Sequence, residues 1–272
     1  MKTKIFLVAV FVILLFPMWW MITGSLQDIN GVMVMPPKII PLTVTLENYD
    51  YLLKMDVDVF AMNTLRVVLG TVGLSVFLSV TAGYWFGIYK SKFKKILFSA
   101  FMAGLMIPRI SLLIPLYVIL KNLGLSGTIE GVILTTAFSP IGIYLAKNYF
   151  DSIPKSILES ARIDGASEWQ ILRMIVVPIS KPIVAALSLF AGIGALQDYI
   201  WQMLVLQDDG KQTLLIAFMK ALANRNSYDK VMGVNPVGKS FAVGVVLLLP
   251  LVVIFLMANK YFVKSLGGAV KE

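Results

Sequence analysis

The chain is predicted to be an all-α polytopic membrane protein, and its composition is the first reason. Of its 272 residues, 58% are hydrophobic and only 14% are charged, and the mean hydropathy is +0.83. Soluble domains carry about 25% charged residues, so this chain has too few polar side chains to cover a soluble surface of its size. The second reason is a series of apolar runs, each long enough to cross a bilayer as a helix.

Six transmembrane helices are predicted from these runs. The first run is too long for the apolar core of a typical signal peptide, and no A-x-A cleavage site follows it. Gly83 and Gly87 give the second helix a face of small residues for close packing, and Pro108 and Pro115 are expected to kink the third. The predicted helices span residues 5–22, 60–88, 96–120, 129–150, 179–206 and 240–262.

The distribution of the net charge of +9 supports this topology. If the first helix starts in the cytoplasm, then both termini, the basic segment at residues 90–95 and the loop at residues 151–178 lie inside the cell. These inner segments hold the whole net positive charge, and the rest of the chain sums to zero. Cytoplasmic loops of membrane proteins carry such an excess of Lys and Arg. The basic balance is therefore explained without a nucleic-acid partner.

The chain accordingly divides into three parts. Residues 1–59 hold the first transmembrane helix and an extracytoplasmic loop, and residues 60–262 form a transmembrane core with the cytoplasmic loop 151–178. Residues 263–272 form a cytoplasmic tail. A second polar loop at residues 207–239 is expected outside the cell.

Enzyme chemistry is disfavoured by the residues that the chain lacks. It has no Cys and no His, which removes thiolate nucleophiles, the commonest general base and the commonest metal ligand. The carboxylates are scattered and form no suggestive cluster. The chain is therefore predicted to be no enzyme and to hold no metal.

The most informative stretch is residues 159–178, ESARIDGASEWQILRMIVVP, a polar island between apolar runs. Asp164-Gly165 is a turn pair, because glycine accepts backbone conformations that other residues resist. Ser167 followed three positions later by Gln170 is the capping-box pattern that begins a helix, and Pro178 is expected to end it. The stretch predicts two short helices joined by a tight turn, a pattern that an ordinary amphipathic cytoplasmic loop would also give.

This stretch resembles the EAA loop of ABC-importer permease subunits in order and spacing, with Ser160 where alanine is usual. In that family the loop is a coupling helix that docks into a cleft on the ATPase subunit. The ATPase-coupling residues that the resemblance implies are Glu159, Ser160, Ala161, Asp164, Gly165 and Ala166, and the match ends at Pro178.

The resemblance continues in FPMWWMITGSLQ, LTVTLENYDYLL, MIPRISLLIPLY and GGAVKE, and it is to the carbohydrate-importing, maltose-type branch. It implies the type I ABC importer permease fold, a saccharide substrate and a multi-pass location in a bacterial or archaeal cell membrane. The implied partners are a second permease, an ATPase dimer and an extracytoplasmic solute-binding protein. No cofactor is expected on this chain, since ATP and Mg would bind the partner ATPase.

Polar and aromatic residues cluster in the predicted fifth helix, where polar side chains are costly and usually functional. Gln197 and Trp201 are four positions apart and so are Asp198 and Gln202, which predicts that each pair shares a helix face. Aromatic rings stack on the apolar faces of sugars, and amides and carboxylates bind sugar hydroxyls. Together with Tyr199 these residues therefore either line a substrate pathway or pack against a partner permease.

Arg109 is placed near the middle of the predicted third helix. An arginine there cannot easily reach the membrane surface, so it should face protein or a cavity. It is either a pathway residue, which could bind an acidic saccharide, or one half of a structural ion pair with Asp198 or Glu130.

Residues 233–240, GVNPVGKS, match the phosphate-binding pattern G-x-x-x-x-G-K-S. No strand precedes them, Pro236 lies inside the motif, and a helix of lipid length follows. The topology also places the motif outside the cell, so the match is interpreted as chance.

The function that these observations favour is a permease subunit of an ABC importer for a saccharide. A stand-alone secondary transporter is the first alternative, and it would need coupling carboxylates in the membrane, for which Asp198 is nearly the only candidate. The others are an ABC permease for a non-sugar solute and a membrane enzyme.

Overall fold

The computed structural model describes residues 2–32, 40–41, 43–50, 52–54, 56–89, 92–223 and 236–269. Within these ranges the regular secondary structure is entirely helical, as predicted. The helices are α1 Lys2–Ser25, α2 Ile29–Val32, α3 Glu47–Asp50, α4 Val57–Ile88, α5 Lys92–Gly104, α6 Arg109–Asn122, α7 Ile129–Ala137, α8 Pro140–Asp151, α9 Lys155–Ile163, α10 Glu168–Ile179, α11 Lys181–Gln197, α12 Tyr199–Val205, α13 Leu214–Ala223 and α14 Pro236–Ala269.

Two helices in the described part of the chain, α1 and α4, are long and apolar enough to cross a membrane alone. Three bent pairs, α5 with α6, α7 with α8, and α10 with α11, raise this to as many as five spans if each pair counts as one. Helix α14 is 34 residues long. The order of the helices follows the prediction, and the six-span topology itself stays a prediction.

The predicted third helix, residues 96–120, is wrong as one continuous element. The helix stops at Gly104 and a new one starts at Arg109, with an angle of 104° between them. Pro108 has extended backbone angles and stands immediately before α6. Proline also disfavours the helical conformation of the residue before it, so the expected kink is a full break. Pro115 lies inside α6.

The predicted fourth and fifth helices are also interrupted. Helices α7 and α8 meet at 46° around Ser139, which is held extended in front of Pro140 for the same steric reason. The fifth helix breaks at Asp198, which separates α11 from α12. The predicted polar loop at residues 207–239 instead contains the short 3₁₀ turn Asp209–Lys211, helix α13 and the start of α14.

The chain divides into two compact units, residues 1–61 with 213–252 and residues 62–212 with 253–272. In the first unit a small apolar core joins Leu52, Leu214, Phe218, Ala242 and Val243. The apolar side chains of α13 are therefore buried, which explains why this segment is a helix and not an irregular polar loop.

The C-terminal end of α1 is closed by a buried asparagine of the same unit. The side-chain amide of Asn48 donates to the backbone carbonyls of Ser25 at 2.9 Å and Gln27 at 2.7 Å. The hydroxyls of Ser25 and Tyr49 are 2.7 Å apart. Carbonyls at a helix end have no partner within the helix, so Asn48 satisfies groups that would otherwise be buried without hydrogen bonds.

The second unit contains the close helix contact that Gly83 and Gly87 predicted. A Cβ built on Gly83 would lie 2.5 Å from the Cβ of Ala146, and one on Gly87 would lie 3.1 Å from the carbonyl oxygen of Lys147. Helices α4 and α8 therefore approach so closely that a side chain at Gly83 would collide with α8, and one at Gly87 would require α8 to shift by a few tenths of an ångström. This contact fixes the C-terminal end of α4 against α8, from which the loop of residues 151–178 continues.

Replacing Asn48 tests the closure of α1. Asn48→Ala should destabilise the purified protein by about 1–3 kcal/mol, because two carbonyls lose their buried donor. Thermal unfolding in detergent measures this loss. Asn48→Asp should be at least as harmful, since a carboxylate cannot donate to the two carbonyls, whereas Glu47→Ala, at the exposed neighbouring position, should change stability little. Equal stability of all three variants would show that Asn48 does not anchor this region.

Candidate coupling loop and substrate pathway

The first half of the loop is helix α9, which lies with one face in the core of the second unit. Leu158 and Ala161 are buried in an apolar cluster with Phe150 and Ile171. Glu159 and Ser160 are exposed on the other side. Packing of α9 therefore presents the predicted acidic coupling residue to solvent.

The predicted turn has the backbone that its sequence required. Gly165 has a φ of +80°, in the left-handed region that glycine adopts most readily. The backbone N–H of Gly165 donates to Arg162 and that of Ala166 donates to Ala161, which closes the end of α9. A Cβ at Gly165 would meet no atom within 4 Å. The glycine is thus required by the conformation of the turn and leaves open space around it.

Helix α10 begins with the predicted capping box. The backbone N–H of Ser167 donates to the Gln170 side chain at 2.8 Å, and the Ser167 hydroxyl accepts from the Gln170 backbone at 3.4 Å. The prediction that Pro178 ends this helix is wrong, because α10 continues to Ile179. The segment Ile171–Val176 is wound as a π-helix, and Pro178 stands in the first turn of the α-helical segment that follows, where no N–H donor is needed.

Glu168 joins the two halves of the loop to the membrane helix α4. Its carboxylate accepts from the Arg162 guanidinium at 2.8 Å and from the Tyr84 hydroxyl at 2.6 Å. The hydrogen bond from Arg162, with that from Tyr84, lowers the pKa of Glu168 to about 2. The carboxylate is therefore ionised at every physiological pH, and the network stays intact over that range. Sequence reasoning missed Glu168, whose only local signal is its place in the first turn of α10.

Apolar side chains are exposed around the turn. Ile163 is 86% exposed and Trp169 is 55% exposed, and Met174 projects from the same loop. Asp164 and Gly165 lie exposed between the first two, and Ala166 is partly buried. Exposed apolar groups of this kind on a polar loop mark an interaction surface. Sequence reasoning did not single out Trp169, although a tryptophan within a polar stretch is a usable signal.

Arg109 and Asp198 form an ion pair at two helix breaks. Arg109 Nη2 lies 2.6 Å from Asp198 Oδ2. Of the two predicted candidates, the acid that pairs with Arg109 is therefore Asp198 and not Glu130. Arg109 is the first residue of α6, so its predicted position in the middle of a helix is wrong. The arginine side chain is 55% exposed and the carboxylate side chain 11%. The guanidinium therefore faces open space while its partner is held inside the protein.

The other residues of the predicted fifth helix do not share one face, because the break at Asp198 interrupts the helical period. Trp201 is 1% exposed and donates from its indole N–H to the Thr135 hydroxyl at 2.8 Å. Gln202 is buried and donates to the carbonyl of Ala195. Gln197 is exposed and Tyr199 is partly exposed. Trp201 and Gln202 thus hold α12 against α7 and the end of α11, which favours packing as their role.

The structure describes only part of the segment that matches the phosphate-binding pattern, residues 233–240. Residues 233–235 lie outside the described residues. From Pro236 onward the motif is already the first turn of helix α14, so these residues form no separate loop. Among the described residues no group of three or more acidic side chains is placed to hold a metal ion.

Comparison with known proteins places these features in a family. The sequence profile described as "Binding-protein-dependent transport system inner membrane component" matches residues 79–268, which is more than half of the chain. The arabinooligosaccharides transport system permease protein AraQ of Bacillus subtilis is 29% identical over 94% of this chain and 90% of its own. The galactooligosaccharides transport system permease protein GanQ of the same organism is 31% identical over 94% of this chain and 90% of its own.

A solved structure shares the fold. It is that of a bacterial ABC transporter involved in the import of the acidic polysaccharide alginate, and it aligns with a TM-score of 0.84 over 96% of this chain and 95% of that chain, at 22% identity. This likeness concerns the fold alone. Together with the family profile it agrees with the resemblance seen in the loop of residues 159–178. The chain belongs to the family of binding-protein-dependent transport system inner membrane components, the permease subunits of ABC transporters.

Proposed function

We propose that this chain is one membrane-spanning subunit of an ABC importer for a saccharide, driven by ATP hydrolysis on a separate ATPase. The observation that carries the proposal is the loop of α9 and α10, with Gly165 at its turn and exposed Ile163 and Trp169 beside it. Such an exposed, partly apolar turn is suited to fit a cleft on another protein. The coupling residues are Glu159, Ser160, Ala161, Asp164, Gly165 and Ala166.

The route by which ATPase closure reaches the membrane runs through Glu168. A push on the turn moves Arg162 and α10 together, because Arg162 donates to the carboxylate of Glu168, which is a residue of α10. The hydrogen bond from Tyr84 carries the movement into α4, and burial of Leu158 and Ile171 in the same core carries it into α8. The loop and the cytoplasmic ends of these helices would therefore move as one body and change access to the pathway.

The saccharide is proposed from the relatives, whose names specify arabinooligosaccharides and galactooligosaccharides, and from the pathway candidates Arg109 and Asp198. The partners would be a second permease, an ATPase dimer and a solute-binding protein outside the cell. A secondary transporter that uses Asp198 for ion coupling is disfavoured, because this carboxylate is already paired with Arg109 at 2.6 Å. Screening the cognate binding protein against arabino-, galacto- and alginate-derived oligosaccharides would identify the saccharide.

The turn of the coupling loop gives a matched pair of variants. Gly165→Val should keep the membrane level of the protein but reduce co-purification of the ATPase and lower import at least tenfold. A β-branched residue at positive φ costs about 1–3 kcal/mol of backbone strain, and the added side chain would collide with the docking cleft. Gly124 also has a positive φ, of +70°, with open space around it, but it lies in the turn between α6 and α7. Gly124→Val therefore carries the same strain and should retain the ATPase. Wild-type import by Gly165→Val would remove this stretch as the coupling element.

The topology can be tested in this Cys-free chain. Asn122 and Ser156 are both exposed, at the end of α6 and in α9. The proposal places Asn122 outside the cell and Ser156 inside. In intact spheroplasts a membrane-impermeant maleimide should label Asn122→Cys, whereas Ser156→Cys should be labelled only after permeabilisation. Labelling of Ser156→Cys from outside would contradict the proposed location of this loop inside the cell.

Variants of Arg109 and Asp198 can show whether this ion pair lines the substrate pathway or has a structural role. Arg109→Gln leaves the largely buried carboxylate of Asp198 without its partner, and removing one partner of a buried charge pair costs more than removing both. The double variant Arg109→Gln with Asp198→Asn should therefore recover the assembly that Arg109→Gln loses. If the pair lines the pathway, import by the double variant stays several-fold below wild type at equal amounts of assembled complex. Recovery of import together with assembly would assign the pair a structural role alone.

A further inference from the structure

The second unit contains an open cavity of about 250 Å³ that Arg109 of the Arg109–Asp198 pair lines. Its walls come from α4, the start of α6, the junction of α7 with α8, and α11. The lining residues that matter for its chemistry are Ser75, Arg109, Thr136, Ser139, Phe190 and Gly194.

Two helix breaks meet at this cavity. Arg109 begins α6 directly after the break at Pro108, and Ser139 stands in the extended link between α7 and α8. At membrane depth, non-helical backbone is tolerated only where it is buried in protein or lines a polar cavity. Both breaks therefore place polar backbone and side-chain groups at one otherwise largely apolar cavity.

The polar groups of the lining retain unused hydrogen-bonding capacity. Among the described residues, the buried Thr136 hydroxyl has no hydrogen-bond partner. The Ser139 oxygen accepts from the Gly142 N–H, and its own proton can still be donated. Arg109 engages Asp198 through one terminal nitrogen, and a guanidinium carries five N–H donors. The Thr136 oxygen has almost no exposed surface in this conformer, so Thr136 lines the cavity with its other atoms. Rotation about χ1 to another staggered rotamer would turn the hydroxyl toward a bound ligand, where it would gain a hydrogen-bond partner.

The rest of the lining is apolar and aromatic, and includes the half-exposed rings of Phe138 and Phe190. A sugar ring has hydroxyls around its edge and apolar faces, so it matches a site with both kinds of surface. A lipid tail would leave Thr136 unsatisfied. A strongly anionic ligand is not required, because the charge of Arg109 is already balanced by Asp198.

We infer that this cavity binds one ring of the imported saccharide, so that this subunit holds a substrate subsite of its own and does not leave the substrate to the partner permease. The inference rests on the proposed function, since it takes the imported solute to be a saccharide. Thr136 and Ser139 would contact the ring hydroxyls, and Phe138 or Phe190 would contact a ring face.

The cavity can be filled without disturbing the protein around it. A Cβ on Gly194 would meet no atom within 4 Å, and the same is true of Gly73 on α4, which does not line the cavity. Leucine favours helix over glycine at both positions. Gly194→Leu and Gly73→Leu are therefore matched: each adds the same side chain to a helix, and only the first projects into the cavity.

The experiment reconstitutes the whole complex with its binding protein in proteoliposomes. The probe is the oligosaccharide that the binding protein selects from arabinotriose, galactotriose and an alginate trisaccharide. Initial import and ATP hydrolysis are measured together. Gly194→Leu should lower import by about tenfold or more while binding-protein-stimulated ATP hydrolysis stays within twofold of wild type, because a blocked subsite uncouples hydrolysis from import. Gly73→Leu should leave both rates unchanged.

Thr136→Val provides a second test, which does not depend on adding a leucine side chain to the cavity. Removing an unpartnered hydroxyl should leave the thermal stability of the complex equal or higher and still lower import several-fold. A purely structural role for Thr136 would move stability and import in the same direction.

The possible results separate the two proposals. If the wild-type complex imports none of the three saccharides, the saccharide assignment fails and this inference fails with it. If the wild type imports one of them and Gly194→Leu imports it as fast as Gly73→Leu does, the proposed function stands and the subsite is overturned. Parallel loss of import and ATP hydrolysis in Gly194→Leu would also overturn it, since that result indicates a damaged complex.

Discussion

The absence of water inside a bilayer is the constraint on which the rest of this fold depends. A backbone N–H or C=O that leaves a helix there must find a partner in the protein. The chain nevertheless interrupts its helices before Arg109, at Ser139 and at Asp198. Side chains act at two of these places: Ser139 caps α8 by accepting from Gly142, and Trp201 and Gln202 fix α12 after the third break. These two breaks are therefore held by specific hydrogen bonds.

The proposed coupling loop obeys the opposite rule, because the predicted topology places it in water. Its helices are short and marginal on their own, and they are held by burial of Leu158 and Ile171 on one side and by the Glu168 network on the other. Solvent can satisfy the remaining polar groups, so the exposed turn at Gly165 is free to carry residues for another protein. Rigid attachment with an uncommitted surface is what a mechanical coupling element requires.

Local patterns in the sequence were sufficient where the deciding interactions are local. The capping box at Ser167 and the positive φ of Gly165 depend on residues within one turn, and both were predicted. Gly83 and Gly87 predicted close packing, although their partner on α8 could not be named. The broken third helix was not predicted, because whether a proline such as Pro108 bends a helix or ends it depends on what the surrounding helices can satisfy.

The pairing of Arg109 was left open between two acids for the same reason. Choosing Asp198 over Glu130 required knowing that the fifth helix breaks at Asp198. No residue type near that position predicts a helix break. Glu168 was missed because a glutamate in the first turn of a helix is ordinary, and its importance comes from Tyr84, which is 84 positions away in the sequence. Interactions over such distances are decided by the packing of whole helices and are not encoded in any short pattern.

The two irregular features of the membrane region have one explanation if they are considered together. Interrupted helices are costly in a bilayer, and so is an unpartnered hydroxyl such as that of Thr136. Here two interruptions and Thr136 line the same cavity, beside an arginine that is half-exposed although it is paired. Stability alone would favour continuous helices and an apolar filling. The substrate subsite inferred above would explain why several costly features are retained at one place, because a bound sugar would offset their cost.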